Sequence, residues 1–181
     1  MAGSKKYPIL IYIGIPVIGA MLLLLRTGRT DSFVILKYEL LIMFGHITAV
    51  LDFRSRKIPN KLILAMIAAW VLIITPKLFY DIDTAILMLS DSLLGFAVGG
   101  GIFMLVYLVS RKGLGGGDVK FMAAAGLYIG YYGILPAMLC GTISAALAGL
   151  ALILLKKIGR KDTIPLVPFL YAGILITIFV F

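Results

Sequence analysis

Of 181 residues, 62% are hydrophobic and 14% charged, with a mean hydropathy of +1.11. A soluble domain sits nearer half apolar and a quarter charged, so the composition excludes an ordinary soluble fold. The net charge of +9 sits largely in short basic stretches between apolar runs, where anionic lipid and membrane topology account for it; no nucleic-acid partner is expected.

Apolar runs cover about residues 8–25, 33–51, 62–76, 84–109, 119–132, 134–155 and 164–181. Crossing a hydrocarbon core of ~30 Å takes roughly 20 apolar residues. The expectation is an all-α, polytopic transmembrane helix bundle with about six to seven membrane helices, forming a single integral membrane domain over residues 1–181. The first run follows Lys5 and Lys6 and ends at Arg26-Thr-Gly-Arg29 rather than at a small-residue cleavage site. It reads as a retained span, not a signal peptide. Between the fifth and sixth runs, Gly130-Tyr-Tyr-Gly133 and Pro136 are turn or kink signals. The short fifth run is therefore either a full span or a re-entrant helix, which is tolerated only where protein or water covers it.

With seven spans and a cytosolic N-terminus, thirteen Lys and Arg residues fall on one side and four on the other. This is the positive-inside bias of a multi-pass cell-membrane protein, and it places Asp52 and Asp118 together on the cytosolic side. Membrane lipids are the surrounding partner. Small residues recur at helical spacing, with Gly95 and Gly99, Ala124 and Gly126 near Gly130, and Gly141 with Ala145 and Gly149. They suit close helix packing in lipid.

Two aspartates carry the chemistry. Asp52 closes an apolar run and opens Asp52-Phe-Arg-Ser-Arg-Lys-Ile-Pro-Asn60, in which Ile58-Pro59-Asn60 reads as a rigid turn with Asn60 as N-cap of the next span. Asp118 follows Gly115, Gly116 and Gly117 in Gly113-Leu-Gly-Gly-Gly-Asp-Val-Lys120. Glycine permits backbone conformations and approaches that a Cβ forbids. A helix starting at Asp118 would aim its carboxylate at a cleft and leave N–H groups for an extended substrate; alternatively, Asp118 is an ordinary N-cap. Lys120 either favours the charged form of Asp118 or anchors the helix in lipid. Two carboxylates brought close together share a proton, and such a pair supplies base and acid at once for hydrolysis of an amide.

The other polar residues offer less. The single cysteine, Cys140, excludes an internal disulfide and a multi-cysteine zinc site; no metal or cofactor is expected. Cys140, Ser110 and Ser144 have no partner base in reach along the sequence, so nucleophilic catalysis has no support. His46 reads as a lone histidine bonded to a neighbouring helix, and Glu39 and Asp91 lie toward the outer side. Tyr128, Tyr131 and Tyr132 suit an interfacial belt.

Asp52 with Ile58-Pro59-Asn60, and Gly115-Gly116-Gly117-Asp118-Val119-Lys120 with Ala125-Gly126-Leu127-Tyr128-Ile129-Gly130, resemble the two motifs of the type IV prepilin peptidases. These are intramembrane aspartyl proteases of the GxGD type. The resemblance runs from about Asp52 to Gly130. It implies that Asp52 and Asp118 are the catalytic pair, shaped by Gly115, Gly116, Gly117, Lys120, Pro59 and Asn60. It also implies that the substrate is a prepilin or pseudopilin helix cut at the cytosolic face, and that no cofactor takes part. No region with paired cysteines precedes the first run, which implies the small peptidase-only kind found with Tad/Flp pilus systems and no separate methyltransferase domain. Ile164-Pro165-Leu166-Val167-Pro168-Phe169 keeps the prolines of a Pro-Phe-Gly-Pro-like stretch but has Val167 where the family has glycine. Two other classes compete: a small transporter or channel with the aspartates as cation or proton sites, and a non-enzymatic assembly subunit. The sequence leaves the oligomeric state open.

Overall fold

A computed structural model describes Gly19 and residues 32–110, 113–159 and 162–180. Every regular element among them is helical: α1 (Ser32–Ser55), α2 (Asn60–Tyr80), α3 (Ile82–Val109), α4 (Gly116–Leu154) and α5 (Val167–Val180). The helices are apolar around most of their circumference, with Leu72, Leu105 and Leu147 exposed on their outer faces. A helix hydrophobic all round is a buried helix or a membrane span.

Local chemistry sets the ends. The α1 helix stops at Arg56, which takes the left-handed conformation (φ 51°) while its N–H bonds the Asp52 carbonyl at 2.9 Å. Pro59 then precedes α2 with extended backbone. Asp81 caps α3 by accepting the Thr84 N–H at 3.2 Å.

The fifth and sixth apolar runs form one element interrupted at Gly130, whose φ of 71° and ψ of −176° no helix contains. Residues 133, 137, 141 and 149 pack successively on Thr177, Gly173, Leu170 and Ile164. The second limb of α4 thus runs back along α5 toward the end of the bundle from which the first limb left. The outgoing limb, residues 116–129, is about 21 Å long at 1.5 Å per residue, short of the ~30 Å core. The all-helical expectation holds among the described residues, and the number of six to seven membrane helices is not confirmed. Four helices among the described residues are long and apolar enough to cross a membrane, and α5 is a shorter apolar helix. The first run, apart from Gly19, lies outside the described residues.

A break in an apolar helix frees backbone groups that lipid cannot satisfy, so they need partners within the protein. Asp91 of α3 meets this need: its Oδ1 accepts the Tyr131 N–H at 3.0 Å. Lys37, buried on α1, interacts electrostatically with Asp91. The seam between α3 and the outgoing limb of α4 is backbone on backbone. A Cβ on Gly95 would stand 2.3 Å from the Gly126 carbonyl oxygen, and one on Gly126 would stand 2.2 Å from that of Gly95. The small-residue spacing therefore does serve packing. Tyr128 is not part of an interfacial belt: it is wholly buried and donates its hydroxyl to the Met66 carbonyl at 2.5 Å. Of these three tyrosines, Tyr131 and Tyr132, edge to face at 5.3 Å, are the exposed ones.

Candidate functional site

The C-terminal end of α1 and the N-terminal ends of α2, α4 and α5 meet at one end of the bundle. Beside them opens a cavity of about 450 Å³ lined by Asp52, Arg56, Lys57, Ile58, Asn60, Lys120 and residues 115–118. Asp52 and Asp118 are 7% and 8% exposed and interact electrostatically across it. Each side chain is held by a backbone donor. The Val167 N–H, at the first residue of α5, donates to Oδ2 of Asp52 at 3.1 Å. The Gly115 N–H donates to Oδ2 of Asp118 at 3.0 Å.

These bonds follow from where the helices start. The first N–H groups of a helix have no partner within it and form its electropositive end. Asp52, arriving from α1, fills that role for α5. On α4 the helix begins at Gly116, so Asp118 is its third residue and not the N-cap; it reaches back to the N–H of the residue that is, Gly115. Both sequence-level alternatives for Asp118, helix start and N-cap, are thus corrected to a position inside the first turn.

The three glycines act differently from one another, and none needs a left-handed backbone. A Cβ on Gly117 would press Ile58 at 3.0 Å, and one on Gly115 would meet the Asp118 carboxylate at 3.0 Å. A Cβ on Gly116 would meet nothing within 4 Å, so the cavity is open there.

Asn60 does not cap α2: Pro59 holds that position and no side chain caps it. Its Oδ1 instead accepts from Lys120 Nζ at 2.9 Å, tying the start of α2 to the first turn of α4. Lys120 thus joins the two motifs at the cavity edge. Its amine turns to this polar partner on α2. His46 lies outside the cavity and meets Tyr171 of α5 edge to face at 5.9 Å. Among the described residues no three of His, Cys, Asp and Glu are grouped as a metal would require.

Sequence reasoning missed two contributions. Arg56 Nη1 donates to Thr163 Oγ1 at 2.9 Å and ties the loop after α1 to the loop before α5. Val167 contributes through its N–H, so the valine in place of glycine leaves the Asp52 contact intact. The flanking prolines marked the segment, but a main-chain donor leaves no letter in the sequence.

A model of the type IV leader peptidase family matches residues 39–181. Among curated proteins, the prepilin leader peptidase/N-methyltransferase of Escherichia coli K12 is 29% identical over 126 residues, covering 67% of this chain and 51% of the relative. Its counterpart in Xanthomonas campestris pv. campestris is 30% identical over 125 residues, covering 66% and 41%. That of Bacillus subtilis 168 is 26% identical over 127 residues, covering 70% and 48%. The chain spans about half the length of these curated relatives. No solved structure matches it.

Proposed function

The chain belongs to the type IV leader peptidase family, and from that premise we propose that it is a prepilin leader peptidase. In this reading it is a single membrane-embedded aspartyl endopeptidase domain of the cell membrane, with its site on the cytosolic side. It cuts the basic leader from a prepilin or pseudopilin ahead of the hydrophobic helix. The observation that carries the reading is that Asp52 and Asp118, from different helices, line one cavity.

The chemistry needs only these two groups and water. One carboxylate, ionised, takes a proton from the water as it attacks the scissile carbonyl carbon. The other, protonated, gives its proton to the carbonyl oxygen. The resulting gem-diol then collapses: a hydroxyl proton returns to one carboxylate, the amine nitrogen is protonated by the other, and the C–N bond breaks. Each aspartate accepts a backbone N–H through Oδ2, which fixes the carboxylates relative to the helix starts. Gly116 leaves room for an extended substrate backbone beside Asp118, and Lys120 with Asn60 holds the two motifs in register.

A transporter would place its ion site near the bilayer midplane on broken helices. The break in this chain is at Gly130, far along α4 from Asp118, which favours hydrolysis over transport. The test is purified protein with a candidate prepilin, read by mass spectrometry for the cut site. Asp52→Asn and Asp118→Asn should each abolish cleavage while leaving insertion intact. Near wild-type processing by either variant defeats the assignment.

A further inference from the structure

We infer that a second, apolar groove next to the aspartate cavity seats the substrate's membrane helix just past the bond that is cut. The inference rests on the peptidase reading and adds to it a binding surface.

The groove, of about 410 Å³, lies between α2, α3 and the outgoing limb of α4 and is lined among others by Ile67, Ala97, Gly101, Met104, Ala123 and Lys120. This is within the size range of pockets that hold ligands, ~300–1,000 Å³. Its walls are apolar except at Lys120, and Lys120 also lines the aspartate cavity. The two spaces therefore adjoin at Lys120, one polar and the other apolar. A polypeptide that is polar where it is cut and apolar immediately afterwards matches this pair of spaces.

Four of the residues lining the groove are small: Ala97, Gly100, Gly101 and Ala123. A Cβ on Gly100 would already press the Ala123 side chain at 2.9 Å, whereas one on Gly101 would meet nothing within 4 Å. Small residues let a second helix backbone approach closely where hydrophobicity cannot drive association. Gly19, the described residue of the first apolar run, packs on Glu39 of α1, and α1 contributes nothing to this groove.

Gly101→Leu fills the groove at a position with space for the new side chain, so the variant folds. With a full-length prepilin, its KM should rise about tenfold while kcat stays within about twofold. Leu150→Phe, on an exposed face of α4 outside the groove, should leave both unchanged. In parallel, benzoylphenylalanine at Met104 of the Asp118→Asn protein should cross-link to the hydrophobic helix of the prepilin, and at Leu150 it should not. An unchanged KM in Gly101→Leu overturns the inference, as do Met104 adducts to a second copy or to the chain's own first run. A wild-type protein that cuts no prepilin counts against the peptidase reading; adducts at Met104 without cutting support the groove alone.

Discussion

The contact between Gly95 and Gly126 makes the most direct test of how Asp118 is positioned. A Cβ on Gly126 falls 2.2 Å from the Gly95 carbonyl oxygen, 2.4 Å from its carbon and 2.8 Å from the Phe96 nitrogen. The first of these is about 1 Å short of the 3.4 Å at which ordinary contact begins. All three atoms are backbone, so no rotamer change relieves the clash and the two helices must part. Overpacking of this kind costs ~1–3 kcal/mol, and a gap of 0.5–1 Å along the rest of the seam forfeits about a quarter to a half of each dispersion contact. Replacing a helical glycine by alanine returns roughly 1 kcal/mol. The net expectation for Gly126→Ala is a loss of about 2 kcal/mol, or a melting temperature lower by roughly 4–8 °C. Gly101→Ala is the matched control: the same exchange in a helix, with nothing within 4 Å, should melt at or slightly above wild type. Unfolding can be followed in detergent with a thiol-reactive dye, because the chain has a single cysteine, the half-buried and free Cys140. Gly126 lies two helical turns beyond Asp118, so parting the seam also displaces the carboxylate, and a 1 Å misplacement can cost about 100-fold in rate. If Gly126→Ala melts with Gly101→Ala and keeps its activity, the seam is not in backbone contact and this account of the site's rigidity is wrong.

Two further expectations concern backbone donors and acceptors. Val167→Pro removes the N–H that holds Asp52, at a first helical position that tolerates proline; cleavage should fall roughly 10- to 100-fold, the worth of a hydrogen bond to a charged group. Val167→Ala, which keeps the N–H, should retain most activity in the same peptide assay, and equal activity in the two variants would show that the bond does not matter. Asp91→Ala should destabilise the protein by ~1–3 kcal/mol by leaving the Tyr131 N–H unpaired, and Asp91→Asn, which retains an acceptor, should recover part of that in the thiol-reactive melt.

The convergence of Asp52 and Asp118 was legible because it depends on coarse quantities: the number of turns between apolar runs, the distribution of basic residues, and two motifs with specific spacing. The break near Gly130 was legible for a similar reason, since Gly-Tyr-Tyr-Gly is a local signal. The sequence did not reveal how the break is stabilised. Asp91 lies on a different helix, and only the α3–α4 packing brings its carboxylate to the freed N–H. Tyr128 was misread because an amphipathic ring suits either an interface or a buried hydroxyl with a carbonyl partner, and apolar runs without a polar face do not say which side points inward. Asn60 was misread because its local alternative, capping, is common, whereas its bond to Lys120 depends on the docking of α2 against α4. The number of membrane spans is harder to read, because an apolar run marks helix and burial without marking depth: the fifth and sixth runs form one element broken at Gly130, and the first run, apart from Gly19, lies outside the described residues.

The bond between Asp52 and α5 also decides which substitution is informative. The carboxylate satisfies an orphan N–H at the start of α5, and that N–H in turn fixes the carboxylate, so Asp52 is at once a reacting group and part of a helix terminus. Asp52→Ala would remove both roles, and a loss of cleavage would then mix chemistry with a displaced helix. Asp52→Asn keeps an oxygen that can accept from Val167 and removes only the capacity to exchange a proton in the working pH range. The same holds for Asp118, whose Oδ2 accepts from Gly115 and whose amide replacement preserves that acceptor. If the asparagine variants insert and melt like wild type but do not cut, the loss belongs to the proton chemistry of the pair and not to the fold that presents it.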